Sequence, residues 1–524
     1  VCDLPQSTLE EELNKLVDSE LLFRRGVGEN CSYLFKHALI QDAAYDAMLR
    51  RQRQEIQRRL ADALETHFPE TGQQRPELLA HQRTEAGQQW PAVPLWEAAG
   101  TDATDRGAFV EAVGHLLQAM ASLEASTVSG SNDFGEKDRL EQEYRINVPL
   151  GIATLSLKGY AAPELGAIYD RRMELCTILD DAMGQLHAKW AMGSWKIVRD
   201  EVEVCIQIGR DMMVMAEAMQ DDGARMEARF ILAIGQFYHG EFEECHKSCT
   251  EGMKLYEPER CLFHTSRTGQ HAGVAHLCYM ALCDWYLGDP EAALARMEEA
   301  REMAESLNHP FTVAFFLHHY SWLNTAMRRG EQAIEVADEL IAVSQEQAFF
   351  FWETTGMLFG AGGMIAEKRY EEALERLTVG LARYDGTGAE LALSQYHAFL
   401  AEAQMGLGLL DDAESSLEHA IQLVAKTVDR FHEPELWRLR GQLAKLRGDH
   451  SGAIQNIVHA GELAAELGSR SWELSALVDL AELTAETPAI ATIRQQIADL
   501  IPRFESSPVP SPIVEQAKMV LGSC

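Results

Sequence analysis

Small and apolar residues recur along the second half of the chain with a period of 40. Ala293, Ala333, Ala373, Ala413 and Ala453 stand 40 residues apart. Four residues after each come Met297, Ala337, Leu377, Leu417 and Ile457, and seven after each come Ala300, Leu340, Gly380, Ala420 and Ala460. Offsets of 0, 4 and 7 share one face of a helix. Gly288, Gly408 and Gly448 precede their alanines by five residues, Gly330 sits two places late, and Lys368 replaces glycine in another copy. A glycine there ends one helix in the left-handed conformation before the next begins. Asp289-Pro290 reads as a helix start, with a capping carboxylate and proline at the first helical position. Upstream, Cys205 and Cys245 are also 40 apart, followed by Gly209/Cys249 and Met212/Gly252. The step from Cys245 to Ala293 is 48, so an eight-residue insertion is expected around Tyr256–Ala272. An isolated earlier copy runs from Gly107 to Ala112, with Leu116 and Ala119 following. Between it and Cys205 the pattern is degraded and gives no register.

Each unit is therefore expected to be two antiparallel helices, with small residues on the second letting the first approach closely. The sequences GAFVEA, GEFEEC, KRYEEA and GLLDDA resemble the tetratricopeptide repeat. Its usual period is about 34, so these helices would be longer; a period near 40 also fits HEAT-type repeats, and an irregular helical bundle is the plainer alternative. The expected fold is all-α: a right-handed α-solenoid of tetratricopeptide-like helix pairs, preceded by a partial winged-helix module. Expected boundaries are 1–68 for the winged-helix part and helical linker, 69–105 for connecting helices, 106–487 for the solenoid, and 488–524 for a connector and capping helix. Ile501–Pro512 is proline-rich and reads as a loose connector; Ile513–Leu521 reads as the last helix.

The first sixty residues read differently. Leu9–Ser19 predicts an amphipathic helix, Leu21–Arg25 and Tyr33–Phe35 two short strands around a glycine-rich tip, and Ala38–Arg50 and Gln52–His67 two helices. That order looks like the second half of a winged-helix domain. The first residue is Val rather than Met, which points to a piece of a longer chain or a processed one. Arg50, Arg51, Arg53, Arg58 and Arg59 form a basic cluster. Either it meets phosphate, or it is a solvated face making i,i+4 pairs, for example with Glu55. The helix that would read DNA carries Glu10, Glu11 and Glu12, which argues against phosphate contact.

Charge narrows the partners. With 46 Lys+Arg against 81 Asp+Glu the net charge is −35, and residues 1–60, with 9 basic and 10 acidic side chains, carry almost none of it. Nucleic acid and anionic membrane surfaces are poor partners for such a chain. No apolar run reaches the roughly 18 residues of a spanning helix; Ala348–Trp352 and Met357–Ala366 are short. The opening VCDLPQSTLEEEL lacks a basic signal-peptide start. The ten cysteines follow no compact spacing, so reduced thiols and a cytoplasmic location are expected.

Three stretches carry a wider resemblance: Leu16–Glu65, with FKHALIQDAAY at its centre, residues 255–294, and residues 433–449. They resemble a bacterial family that joins a class III adenylate/guanylate cyclase domain to a STAND-type ATPase module and a long tetratricopeptide tail. This chain looks like the C-terminal half. The resemblance implies a tail that senses or docks an effector and controls the upstream modules. It also implies a winged-helix histidine that contacts bound nucleotide, matched here by His37. A histidine packed between hairpin and helix is the other reading of that position.

No catalytic signature accompanies the resemblance. There is no G-x-x-x-x-G-K-[ST] loop, no H-E-x-x-H and no G-x-S-x-G; Gly26-Val-Gly28 and Gly360-Ala-Gly362-Gly363 fail as phosphate loops. No enzyme activity and no cofactor are expected. Cys245, His246, Cys249, Cys261, His264, His271, His276 and Cys278 fall within 34 positions, but their spacing fits no zinc finger, and the cysteines at repeat positions read as packed thiols. The first helices of the central repeats, Val274–Leu287, Thr312–Met327, Glu353–Ala366 and Leu391–Leu407, contain no Lys or Arg. An acidic peptide terminus, which needs cations to clamp it, is therefore a poor match. Trp285, Tyr286, Phe315, Phe316, Tyr320, Trp322, Phe351 and Trp352 are the candidate groove residues, with core packing as the alternative. They suit an apolar or aromatic effector or an amphipathic helix. Two functions remain: a non-catalytic sensor of a signalling ATPase/cyclase, or a stand-alone scaffold for protein partners.

Overall fold

In the computed structural model, which describes residues 4–26, 31–128, 135–504 and 511–522, the helices are broken at regular left-handed residues. Asp180, Asp200, Gln220 and Gly240 stand 20 apart, and the series resumes as Gly288, Asn308, Arg328, Ala348, Lys368, Gly388, Gly408, Val428, Gly448 and Gly468. All have φ between 47° and 94°. The 40-residue period is thus two 20-residue steps, each one helix and one turn. The turn is imposed by where the packed helix must stop, so glycine is favoured there and not required. This corrects the reading of Gly330: Arg328 takes the left-handed place and Gly330 opens a helix. A Cβ on Gly330 would lie 2.8 Å from the carbonyl oxygen of Gly363, so glycine is kept for close helix approach.

The chain forms two compact units, residues 1–106 with 110–150, and residues 107–109 with 151–524. The first begins with α1 (Gln6–Asp18), the antiparallel hairpin β1 (Leu22–Arg25) and β2 (Ser32–Phe35), α2 (Ala38–Asp46) and α3 (Arg50–His67). The two helices expected over Ala38–Arg50 and Gln52–His67 are thus present with shifted ends, and Gln52 Oε1 accepts from the Leu49 amide at 3.2 Å at the start of α3. Next come α4 (Pro69–Gln74), α5 (Pro76–Glu85), α6 (Gln89–Asp105), α7 (Phe109–Val128) and α8 (Glu136–Lys158), whose last turns belong to the second unit. The basic cluster is largely self-paired. Arg58 meets Glu55 at 2.8 Å and Asp62 at 2.9 Å, Arg59 meets Glu55 at 2.9 Å, and Arg53 lies 3.5 Å from Asp46.

The second unit continues with α9 (Pro163–Ile178), α10 (Ala182–Val198), α11 (Val202–Met219), α12 (Asp222–His239) and α13 (Phe242–Met253). The inserted residues form an extra helix, α14 (Pro258–Thr268). The array then runs through α15 (Ala272–Leu287), α16 (Pro290–Leu307), α17 (Pro310–Ala326), α18 (Gly330–Gln347), α19 (Phe350–Ala366), α20 (Tyr370–Asp385), α21 (Leu393–Gly406), α22 (Leu410–Thr427), α23 (Glu433–Leu446), α24 (His450–Glu466) and α25 (Arg470–Leu483). It closes with α26 (Ile490–Leu500) and α27 (Pro512–Gly522). This is a tetratricopeptide-like all-α array of helix pairs. Asp289 caps α16 by accepting from the Ala292 amide at 2.9 Å, and Pro290 takes the first helical position. The repeating alanines of α16, α18, α20, α22 and α24 are buried against the first helix of each pair. Of the expected connector, residues 505–510 lie outside the described residues, and Phe504 is buried against Trp285.

The array coils tightly enough to touch itself. The Val198 carbonyl, ending α10, accepts from the amides of Glu390 (2.9 Å) and Leu391 (3.2 Å), just before α21. The Tyr238 carbonyl, ending α12, accepts from Arg430 (2.9 Å) and Phe431 (3.3 Å), just before α23. Helix α15 packs on α25. Each contact joins helix pairs five steps apart, so successive turns stack. The face on which a groove is expected is the inside of this coil.

Candidate ligand cavity inside the helical array

First helices alternate with second helices, so the first helices face inward and bring aromatic side chains together. Tyr279, His319, Phe359 and Phe399 are 40 residues apart on α15, α17, α19 and α21. All are buried, with Tyr279 edge-on to His319 at 5.0 Å and Phe359 edge-on to Phe399 at 6.1 Å. Their period is written in the sequence of the partners of the alanine helices.

The inside of the coil carries a cavity of about 60 Å³. Tyr160 and Gln270 close one side, Phe230, Tyr238 and Tyr279 the next, then Phe315, His318, His319 and Trp322, then Phe351, Trp352 and Thr355, and finally Tyr384 and Tyr396. Val198, Leu391 and Ala392, at the contact between turns, complete the wall. Four of the residues expected in a groove, Phe315, Trp322, Phe351 and Trp352, stand on this wall. Tyr286 stands instead on a smaller neighbouring cavity of about 20 Å³. Trp285 meets Phe504, while Phe316 and Tyr320 stack on each other and Arg301 lies over both rings.

The wall contains no Lys, Arg, Asp or Glu. Its titratable groups are held neutral by burial. The phenols of Tyr160, Tyr238, Tyr279 and Tyr384 are pushed well above their usual range. Burial lowers His318, helped by neighbouring His319. Burial also lowers His319 to about 4, against the opposing pull of the Phe315 carbonyl. His319 Nδ1 lies 2.8 Å from that carbonyl oxygen, so Nδ1 carries the hydrogen and Nε2 is an acceptor. Nε2 has no partner. The Tyr160 hydroxyl donates to Gln270 Oε1, and Gln270 Nε2 has no partner. His318 Nδ1 and Thr355 Oγ1 satisfy each other at 3.1 Å. The wall thus offers aromatic faces, one free acceptor at His319 Nε2 and free donors at Gln270 Nε2 and Trp322 Nε1.

The other candidates are dispersed. His37 is exposed at the N-cap of α2, and its side chain makes no capping bond. In the Cys/His stretch, His246 Nε2 meets Asp284 at 2.9 Å and His264 Nδ1 meets His187 Nε2 at 2.9 Å. His271 caps α15, and His276 Nε2 reaches the Met226 carbonyl at 3.1 Å. Cys245, Cys249 and Cys278 are buried, and burial pushes their thiols up. Among the described residues no three His, Cys, Asp or Glu side chains are grouped to hold a metal, no disulfide is present, and no helix is long and apolar enough to cross a membrane.

No protein-family model matches the chain. A curated, functionally uncharacterized protein of Rhizobium meliloti (strain 1021) is 24% identical over 487 residues, covering 89% of this chain and 45% of that protein. The chain therefore spans about half the length of the curated relative it matches. Similar solved structures are helical. A Rap protein complexed with Competence and Sporulation Factor is 10% identical, with 79% of this chain and 98% of that one covered and a TM-score of 0.38. The apo form of RapI is 12% identical (48% and 95% covered, TM-score 0.33). The Cut9–Hcn1 heterotetramer of the APC/C is 12% identical (90% and 96% covered, TM-score 0.34). Likenesses this distant carry no role over to this chain.

Proposed function

We propose that the chain is a non-catalytic binding arm: a helical-repeat scaffold for protein partners whose coil takes an uncharged effector. The observation that carries this reading is a cavity wall assembled from successive repeats, with no ionised side chain and with His319 Nε2 and Gln270 Nε2 unsatisfied. Buried polar atoms without partners cost about 1–3 kcal/mol each, so a molecule that supplies a donor and an acceptor is favoured there. An ion is disfavoured, since nothing on the wall offsets its desolvation. Phe315, Trp322, Phe351 and Trp352 are the proposed apolar contacts. A space of about 60 Å³ holds a few waters, so a ring the size of phenol enters only if the wall gives way around it.

Thermal unfolding tests the reading by mass action. Phenol, which is neutral and carries a donor, is expected to raise the melting temperature, by an amount equivalent to about 2.7 kcal/mol at a hundred times its Kd. Benzoate is expected to leave it unchanged, and His319→Phe to abolish the phenol effect. Equal shifts with phenol and benzoate would refute the cavity as the site.

One observation favours a second reading. The curated relative extends well beyond the matched stretch, which suits a regulatory arm of a longer signalling protein. In that reading His37, exposed at the start of α2, contacts nucleotide on an adjoining ATPase module. That module and a cyclase rest on the sequence resemblance alone.

A further inference from the structure

One register of the first helices changes character along the array. Trp352, Ala392, His432 and Trp472 stand 40 residues apart, at the starts of α19, α21, α23 and α25. Trp352 and Ala392 line the aromatic cavity, while His432 and Trp472 line the smaller one of about 20 Å³. Gln395 of α21 stands on the smaller wall as well, with Phe399 and Leu439 as apolar neighbours. The two cavities share no lining residue.

The polar side chains of the smaller cavity are buried and unpaired. Gln395, His432 and Trp472 are 2%, 2% and 9% exposed. Gln395 Oε1, both ring nitrogens of His432 and Trp472 Nε1 have no partner in the protein. His432 is the N-cap residue of α23, but its side chain makes no capping bond. It lies edge-on to Trp472, with 5.3 Å between ring centroids. Burial lowers His432 to about 4, opposed by Glu435 and helped by Arg328 and Arg438. The imidazole is therefore neutral at physiological pH, with one N–H and one lone pair. The charges on the wall are already matched. Arg328 holds Glu402 at 2.8 Å and Glu435 at 3.3 Å, and Arg438 holds Glu435 at 2.6 Å.

We propose that this cavity is a hydration site, in which one buried water bridges Gln395 on α21, His432 at the start of α23 and Trp472 on α25. Size selects the occupant. One water needs about 10–15 Å³, so a space of about 20 Å³ takes one and excludes an organic molecule. Chemistry selects it too. An ion finds no unmatched charge here to offset its desolvation, whereas a neutral molecule that donates and accepts meets groups of both kinds. Water donates one hydrogen to Gln395 Oε1 and accepts from the Trp472 N–H. Its second hydrogen goes to the bare nitrogen of His432; in the other tautomer its second lone pair accepts from the His432 N–H. Either way it makes three bonds, the usual number for a buried water. Three consecutive repeats are then tied through one molecule.

The site is separate from the aromatic cavity, so this proposal and the binding reading can fail independently. Its test uses the whole chain, with water itself as the probe. Magnetic relaxation dispersion counts the waters that a protein holds for longer than it takes to tumble. Gln395→Leu is close in shape but cannot accept, and His432→Phe keeps a ring without nitrogen. Each is expected to lower the count by one relative to the unsubstituted protein. The melting temperature carries an independent sign. In a hydrated site Gln395→Leu takes a bond from a satisfied network and lowers it; in a dry site the same change removes an unpaired buried carbonyl and raises it. Should both variants fail to fold, a crystal structure of the unsubstituted chain decides. Density for one water is expected about 3 Å from Gln395 Oε1, from Trp472 Nε1 and from one His432 nitrogen. An unchanged count, a raised melting temperature or a site without that density would overturn the proposal.

Discussion

Arg328 and Lys368 occupy the backbone place that glycine fills in neighbouring repeats, with φ of 57° and 61°. For a residue with a Cβ this conformation costs about 1–2 kcal/mol. The strain persists because the packed helices on either side fix where the turn must fall. Lys368 is exposed, so replacing it removes strain and almost no packing. Lys368→Gly is expected to stabilise the protein by about 1 kcal/mol, after the extra unfolded-state entropy of glycine is subtracted. A urea unfolding curve would show a higher midpoint at constant slope. A lower midpoint would mean that the lysine stem packs more tightly than its exposure implies.

At the scale of helices, glycines inside the array have opposite meanings that only packing distinguishes. On α11, a Cβ at Gly209 would lie 2.6 Å from the backbone nitrogen of Leu232 on α12. Backbone cannot move aside as a side chain can, so Gly209→Ala should cost about 1–3 kcal/mol through overpacking. On α24, a Cβ at Gly461 would meet only the Ala476 side chain, at 3.7 Å. There Gly461→Ala should gain about 0.5–1 kcal/mol of helix propensity. Calorimetric melting of the two variants should therefore shift in opposite directions. The same contrast explains what was legible in the sequence. The alanine faces, the inserted segment and the Asp289-Pro290 start are local patterns, and the structure places them where the periodicity does. Gly330 was misread because its reason lies across the helix pair, at the Gly363 carbonyl. The cavity was half-legible: Phe315, Trp322, Phe351 and Trp352 stood out as aromatics on unchargeable helices. Gln270 does not stand out, because its partner Tyr160 lies 110 residues away in the chain.

At the scale of the array, the seams between turns change how the protein should unfold. In an open solenoid each repeat touches only its neighbours, and stability is a sum of local terms. Here Phe431, from the segment before α23, is fully buried among Phe237 and Tyr238 of α12 and Trp322 of α17, with ring centroids 5.6, 5.3 and 5.4 Å away. Those residues are separated in the chain by several helix pairs. Removing the ring should cost about 3–5 kcal/mol, and the loss should be felt in both turns at once. Phe431→Ala is accordingly expected to shift the denaturant transition of the whole second unit to a lower midpoint with its slope unchanged, since slope follows the surface exposed together. If the seams were incidental, the repeats after Phe431 would melt first, in a separate step of small slope, and α12 would keep its wild-type stability. One transition would mean that the coil behaves as a single body, in which an effector acting at one seam is felt in every turn that the seam joins.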